Sequence, residues 1–173
     1  MSSINYDLKK IGGFLFDVDG VLSTDCIPLA GNGDPMRMVN IKDGYALQLA
    51  VKQGYHLGII TGGYTESVKI RFERLGIRHV YMHSAVKMRD YEDFLRKTGL
   101  KDDEIVYAGD DIPDYEVMMR VGLPVAPASA APEIREIARY VSPLRGGEGI
   151  AREVIEQTMK AQGRWMRDGA FGW

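Results

Sequence analysis

The chain has 173 residues, 45% of them hydrophobic, with 22 Lys and Arg against 24 Asp and Glu and a formal charge of −2. That length and balance suit one compact domain, residues 1–173, with a sizeable core, and the slight acidity gives no electrostatic footprint for nucleic acid. No apolar run approaches membrane-spanning length, residues 1–10 (MSSINYDLKK) lack the apolar centre of a secretion signal, and the lone Cys26 excludes an intrachain disulfide, so a cytoplasmic protein is the expectation.

Residues 13–22, GFLFDVDGVL, form a short β-prone apolar run that stops at Asp17, with Asp19 and Gly20 just beyond. This predicts a buried strand whose carboxyl end presents two acids where the chain turns. Residues at i and i+2 share a face if a strand continues, so the two ionised carboxylates repel unless a cation lies between them. Hard oxygen ligands with no thiolate nearby favour Mg²⁺. The motif alone equally fits two solvated acids that cap the next segment.

Residues 26–39 (CIPLAGNGDPMRMV) place two short apolar pieces around a turn-rich GNGDP, which predicts a protruding β-hairpin. Helix and strand signals then alternate: a helix over 43–53, a strand over 56–60, a helix over 64–75 and a strand over 79–82. A helix over 87–97, a strand over 104–109, a helix over 114–121, a strand over 123–126 and a helix over 132–139 follow. Short apolar strands separated by amphipathic helices predict a doubly wound α/β domain, a parallel sheet covered on both faces.

Ligands of such sheets bind beyond the carboxyl ends of the strands, where the strand order reverses. Three polar clusters fall at strand ends: DVDG at 17–20, TGG at 61–63 and GDDIPD at 109–114. Singly they are weak, since Thr61 can cap the next helix and Asp110, Asp111 and Asp114 can form a polar turn. Together they describe one rim bearing acids, a hydroxyl and glycine amides. Lys87, opening a helix after the HVYM strand, offers an ammonium to an anion at that rim.

The order DVDGVL, TGG, a lone lysine and GDDIPD resembles the four motifs of the haloacid dehalogenase superfamily of phosphotransferases over most of the chain. The resemblance implies Asp17 as the nucleophile on phosphorus and Asp19 as the general acid and base. It further implies Thr61 and Lys87 as the phosphate-holding pair, with the Gly62 and Gly63 region beside them. Mg²⁺ would be held by Asp17, Asp110 and the backbone carbonyl of Asp19. Members acting on metabolites commonly carry an inserted cap, but only 44 positions separate Asp17 from Thr61 and 26 separate Thr61 from Lys87. Both gaps are filled by the elements above, so no cap domain is expected, and a macromolecular substrate or a neighbouring subunit, closed by the 26–39 hairpin, becomes the expectation.

A finer resemblance rests on DVDGVLS, the hairpin, VNIKDGYALQLA, IITGG, a helix bearing Arg71, GDDIPD and RGGEGIAREV. These segments, running to about residue 163, are similar to the 3-deoxy-D-manno-octulosonate 8-phosphate (Kdo 8-phosphate) phosphatases, the capless tetrameric branch that makes Kdo for lipopolysaccharide. That implies a phosphorylated sugar acid as substrate, a homotetramer, and a lining of the sugar acid by Asn40, Ile41, Lys42, Asp43, Gly44 and Arg71. Arg71 otherwise reads as a surface partner of Glu66 or Glu73. Many members carry arginine where this chain has Gln48 and Gly63. Phosphatases of nine-carbon sialic-type acid 9-phosphates share the architecture, and a capless phosphoprotein phosphatase or an idle scaffold belong to other classes. The aromatic, glycine-rich segment 163–173 reads either as a flexible tail or as a strand of chain reaching a neighbouring active site.

Overall fold

The computed structural model describes residues 3–167 and 169–172. Six parallel strands form one sheet: β1 (Gly13–Phe16), β2 (His56–Ile60), β3 (His79–Tyr81), β4 (Ile105–Ala108), β5 (Leu123–Ala126) and β6 (Tyr140–Val141). Their order is β3-β2-β1-β4-β5-β6, so the winding reverses between β1 and β4. Six α-helices cover it: α1 (Ile41–Lys52), α2 (Glu66–Arg74), α3 (Lys87–Thr98), α4 (Tyr115–Arg120), α5 (Pro132–Ile137) and α6 (Ile150–Ala161). The doubly wound sheet predicted from the alternation is what forms.

Side chains alternate across the sheet and split the core in two. Phe14, Phe16, Leu57, Ile59, Val106 and Val125 pack with α1, α2 and α6 on one face. Leu15, Ile60, Ile105 and Tyr107 pack with α3, α4 and α5 on the other. β1, β4 and β5 are buried along their whole length, which explains their unbroken apolar runs.

Element boundaries follow local chemistry. Helix α1 starts two residues ahead of the expected position because the Asn40 side chain caps it, accepting from the N–H of Lys42 at 2.9 Å and of Asp43 at 3.4 Å. Strand β6 and helix α6 were not anticipated, although IAREVIEQTMKA buries Ile150, Ala151, Val154, Ile155, Thr158 and Met159 along one stripe.

The 26–39 segment does fold back on itself, but its ladder is a single antiparallel bridge between Leu29 and Pro35. Pro28 and Pro35 have no N–H with which to extend it. The segment is therefore an open loop, and Leu29, Met36, Met38 and Val39 lie exposed along it. Its ends are drawn together by Gly147, which donates its N–H to Val21 O at 2.9 Å and accepts from Asn40 Nδ2 at 3.0 Å. No cap domain stands over the sheet among the described residues.

Residues 163–167 and 169–172 fold against the body of the chain. Arg164 N–H donates to Met159 O at 2.7 Å, the Arg152 guanidinium lies 4.6 Å from the Trp165 ring centre, and Tyr45 Oη donates to Ala170 O. Asp168 and Trp173 lie outside the described residues.

Asp43 joins α1 to α6. Its Oδ1 accepts the N–H of Arg152 in the first turn of α6 at 2.7 Å, where the capping position, Gly149, has no side chain to serve, while Oδ2 is buried without a partner among the described residues. Burial pushes the carboxyl up to about 6, against the Arg152 N–H bond and the Arg152 charge. A carboxyl raised in the folded state contributes stability below its unfolded value near ~3.9 and loses it as pH rises through the folded one. Asp43→Asn, which keeps an acceptor and never ionises, is expected to melt progressively higher than the parent as pH passes upward through about 6. A melting-temperature difference that stays constant across this window would contradict the account.

Candidate active site

Asp17 follows β1 directly. Its N–H donates to Ala108 O on β4 at 3.0 Å, and its Oδ1 accepts the N–H of Val18 at 2.6 Å. The chain then makes a wide turn over residues 18–22, in which Asp19 is extended (φ −72, ψ 129) and Gly20 left-handed (φ 76, ψ −7). Gly20 also lies against Asp110: a Cβ there would sit 1.9 Å from Asp110 Oδ2, so only glycine lets the two motifs approach.

Because the strand stops at Phe16 and the chain turns at Gly20, the Asp17 and Asp19 carboxylates take different cationic side-chain partners. Asp19 is gripped by Arg37 from the 23–40 loop, Nε to Oδ1 at 2.7 Å and Nη2 to Oδ2 at 2.8 Å, while Arg37 Nη1 donates to Thr65 Oγ1. Asp17 instead pairs with Lys87, whose Nζ lies 2.7 Å from Asp17 Oδ2 and 2.7 Å from Asp114 Oδ1. The sequence argument that both acids need one cation thus changes. Arg37 answers Asp19, and the unmet charge lies on the Asp17–Asp110 side.

Asp114 is the anchor of this cluster. It is wholly buried, and its Oδ1 accepts from Lys87 and Tyr107 Oη, its Oδ2 from the N–H groups of Asp110 at 3.0 Å and Asp111 at 3.3 Å. Asp114 and Tyr107 were not expected to position Lys87. A tyrosine in the middle of the apolar EIVYA strand was the available signal.

The carboxylates of Asp17, Asp110 and Asp114 each bring an oxygen within 4.8 Å of the others, a grouping suited to a hard divalent cation. Asp114 is wholly buried with four donors on its oxygens, against two on Asp17, so Asp17 and Asp110 are the candidate side-chain ligands. Among the side chains alone, burial and then Asp114 push Asp17 up to about 7, against Lys87, and burial, Asp17 and Asp114 push Asp110 up to about 8. Two acids held so far above the usual carboxylate range fit a site built to take a cation. Lys87 is itself raised: burial disfavours its charge, but Asp17 and Asp114 more than compensate.

These groups surround a cavity of about 510 Å³ at the carboxyl ends of β1, β2 and β4, where the winding reverses. Thr61, buried, accepts the N–H of Gly63 on Oγ1 at 3.2 Å, and its carbonyl accepts the N–H of Ser84 at 3.0 Å. Gly62, Gly63, Ser84 and Asp111 also line the cavity, Ser84 and Asp25 without having been singled out in the sequence. Among its lining residues Lys87 is the one cation, against six aspartates, Asp17, Asp19, Asp25, Asp110, Asp111 and Asp114.

The remaining predicted residues lie elsewhere on the subunit. Asn40, Asp43, Gly44 and Arg71 line a separate crevice with Leu22 and Phe72, and the Arg71 guanidinium covers Gly44, where a Cβ would meet Nη2 at 2.4 Å. Ile41 and Lys42 are exposed at the start of α1, and Gln48 is half-buried further along it. Arg37 stands over Gly63, whose Cβ would lie 2.2 Å from its Nη2.

Residues 65–154 match the family model of haloacid dehalogenase-like hydrolases. The chain is 38% identical over 156 residues to the 3-deoxy-D-manno-octulosonate 8-phosphate phosphatase of Escherichia coli strain K12, covering 90% of this chain and 83% of that protein. Its fold is similar to the crystal structure of the Yersinia pestis phosphatase of the same name, with a TM-score of 0.87, 33% identity and coverage of 91% and 85%. A Moraxella catarrhalis phosphatase of that name, solved with magnesium, phosphate and Kdo, gives a TM-score of 0.87 at 31% identity, covering 92% of this chain and 91% of that one. With the motif residues gathered at the switch point of its sheet and these likenesses along nearly its whole length, the chain belongs to the haloacid dehalogenase-like hydrolases.

Proposed function

We propose that the protein is a Mg²⁺-dependent phosphatase that hydrolyses Kdo 8-phosphate to Kdo and phosphate, a reaction supplying lipopolysaccharide synthesis in the cytoplasm. The observation that carries this reading is Asp17 beside a buried Lys87 and facing Asp110, on a cavity with no cap, in a chain so similar to phosphatases of that sugar acid.

In the proposed reaction an Asp17 carboxylate oxygen attacks phosphorus, the bond to the sugar oxygen breaks, and Asp19 gives its proton to the departing alkoxide. Asp19, now a carboxylate, takes a proton from the water that attacks the aspartyl phosphate, releasing phosphate and restoring Asp17. Lys87 and the amides near Gly62 and Gly63 hold the transferring oxygens, and Thr61 orients them. Asp17, Asp110 and the Asp19 carbonyl would hold Mg²⁺, which supplies neutralisation of phosphate charge when bound.

The open cavity and the exposed apolar side chains of the 23–40 loop support closure by a neighbouring copy in a homotetramer. In that arrangement Asn40 to Gly44 and Arg71 contribute to sugar-acid binding. No helix among the described residues is long and apolar enough to cross a membrane.

Asp17→Asn is expected to abolish steady-state phosphate release while keeping the fold, and sustained turnover in that variant would refute the nucleophile assignment. A phosphate-release panel of Kdo 8-phosphate, a nine-carbon acid 9-phosphate, a hexose phosphate and a phosphopeptide tests the substrate, with the first expected to be preferred. Size-exclusion chromatography with light scattering is expected to give a tetramer, and a stable monomer would count against subunit closure. Asp17 and Asp110 at about 7 and 8 imply that chelated protein loses stability as pH rises through those values, because raised carboxyls are stabilising only while protonated. Added Mg²⁺ is expected to flatten that decline in melting temperature and to restore activity lost to EDTA; an identical pH profile with and without metal would sink the assignment.

A further inference from the structure

The loop that passes over the site carries one side chain that behaves unlike its neighbours. Met36 and Met38 are 50% and 59% exposed, yet the Arg37 side chain between them is only 6% exposed. It is turned inward and spends every donor arm on the site, two nitrogens on the Asp19 carboxylate and the third on Thr65. Gly63 is what allows it to lie there, since a Cβ would meet Arg37 Nη2 at 2.2 Å and Cζ at 3.0 Å. A solvated loop arginine needs neither a seat nor a glycine beneath it.

We propose that Arg37 is a specificity-determining residue that reads a carboxylate on the leaving group of the substrate, with Gly63 kept bare to seat it. This rests on the phosphatase reading above and deepens it. Asp19 is the group that meets the departing oxygen, so a guanidinium locked on Asp19 stands on the leaving-group side of phosphorus. Lys87, the only cation among the lining residues, is committed to Asp17, Asp114 and the phosphoryl oxygens, and Arg71 lies in the separate crevice. Arg145 pairs with the cavity-lining Asp25 at 3.0 Å, so Arg37, paired with Asp19, is the guanidinium that a second anionic group meets on the leaving-group side. The fork of a guanidinium matches a carboxylate bidentately, and Arg37 already shows that fit on Asp19. Exchange of the Asp19 carboxylate for the substrate carboxylate frees the Asp19 oxygens to face the leaving oxygen. Recognition and exposure of the proton carrier become one event.

The test compares Arg37→Ala with the parent on Kdo 8-phosphate, on a neutral hexose 6-phosphate and on p-nitrophenyl phosphate. The variant is expected to lose kcat/KM on the carboxylate-bearing substrate on the order of 10-fold to 100-fold more than on the other two, chiefly through KM. Arg37→Lys, a point charge without a fork, is expected to recover only part of that difference. Equal losses on all three substrates would make Arg37 merely a holder of Asp19 and overturn the proposal, as would no loss at all. A parent enzyme indifferent to the carboxylate overturns the sugar-acid reading and this one together, while a parent that prefers it alongside equal losses leaves the former standing. Melting temperatures identify any variant that fails to fold, and Arg37→Gln then takes its place with the same expected selectivity.

Discussion

A buried ammonium sets the geometry of this molecule. Lys87 is 5% exposed at the first position of α3, where a charge stripped of water costs several kcal/mol unless it is paired and hydrogen-bonded. Its two partners are Asp17, directly after β1, and Asp114, in the turn between β4 and α4, and β1 and β4 are the adjacent strands with the winding reversal between them. The ion pairs thus pin the start of α3 to two different strand ends. Removing one partner of such a buried group typically costs about 3–5 kcal/mol, because the survivor is left uncompensated. Asp114 withstands that constraint because Tyr107 and two backbone N–H groups satisfy its remaining capacity. The catalytic arrangement and the local stability of the sheet's upper edge therefore rest on the same few bonds.

The two acids of the DVDG turn have separate electrostatic lives. Asp17 faces inward to Lys87 and Asp110, and Asp19 faces outward to Arg37. The turn that separates them depends on Gly20 taking a left-handed conformation against the Asp110 carboxylate. One glycine thereby separates two carboxylates a single residue apart, one beside Lys87 and Asp110 and one beside Arg37 of the overlying loop.

The alternation of apolar runs and amphipathic helices was enough to foresee the sheet, since buried parallel strands leave unbroken hydrophobic segments such as GFLF, HLGII and LPVA. The gathering of Asp17, Thr61, Lys87 and Asp110 at one rim was likewise legible, because strand ends at a winding reversal have a fixed meeting place. What could not be read was anything decided by a side chain's direction within irregular backbone. Arg37 was not singled out within the MRMV piece, and only its inward turn reveals a partner for Asp19. Asp43 sits in a motif that the family resemblance links to the substrate, yet its carboxylate caps α6. The expected hairpin shrank to one bridge because its two prolines, plain in the sequence, deny it donors. α6 was not among the predicted elements, although the stripe from Ile150 to Met159 was present.

Gly147 closes the neck of the 23–40 loop by holding Val21 and Asn40 together. Apart from the Arg37 hold on Asp19 and Thr65, a loop pinched in this way leaves its two flanks indifferent to the length of chain between them. Closure entropy grows only slowly with length, by about 0.6 kcal/mol for each doubling. The neck is thus a socket at which this scaffold can accept a longer insertion, even a folded cover, with the catalytic turn on one side and the cap of α1 on the other left in place.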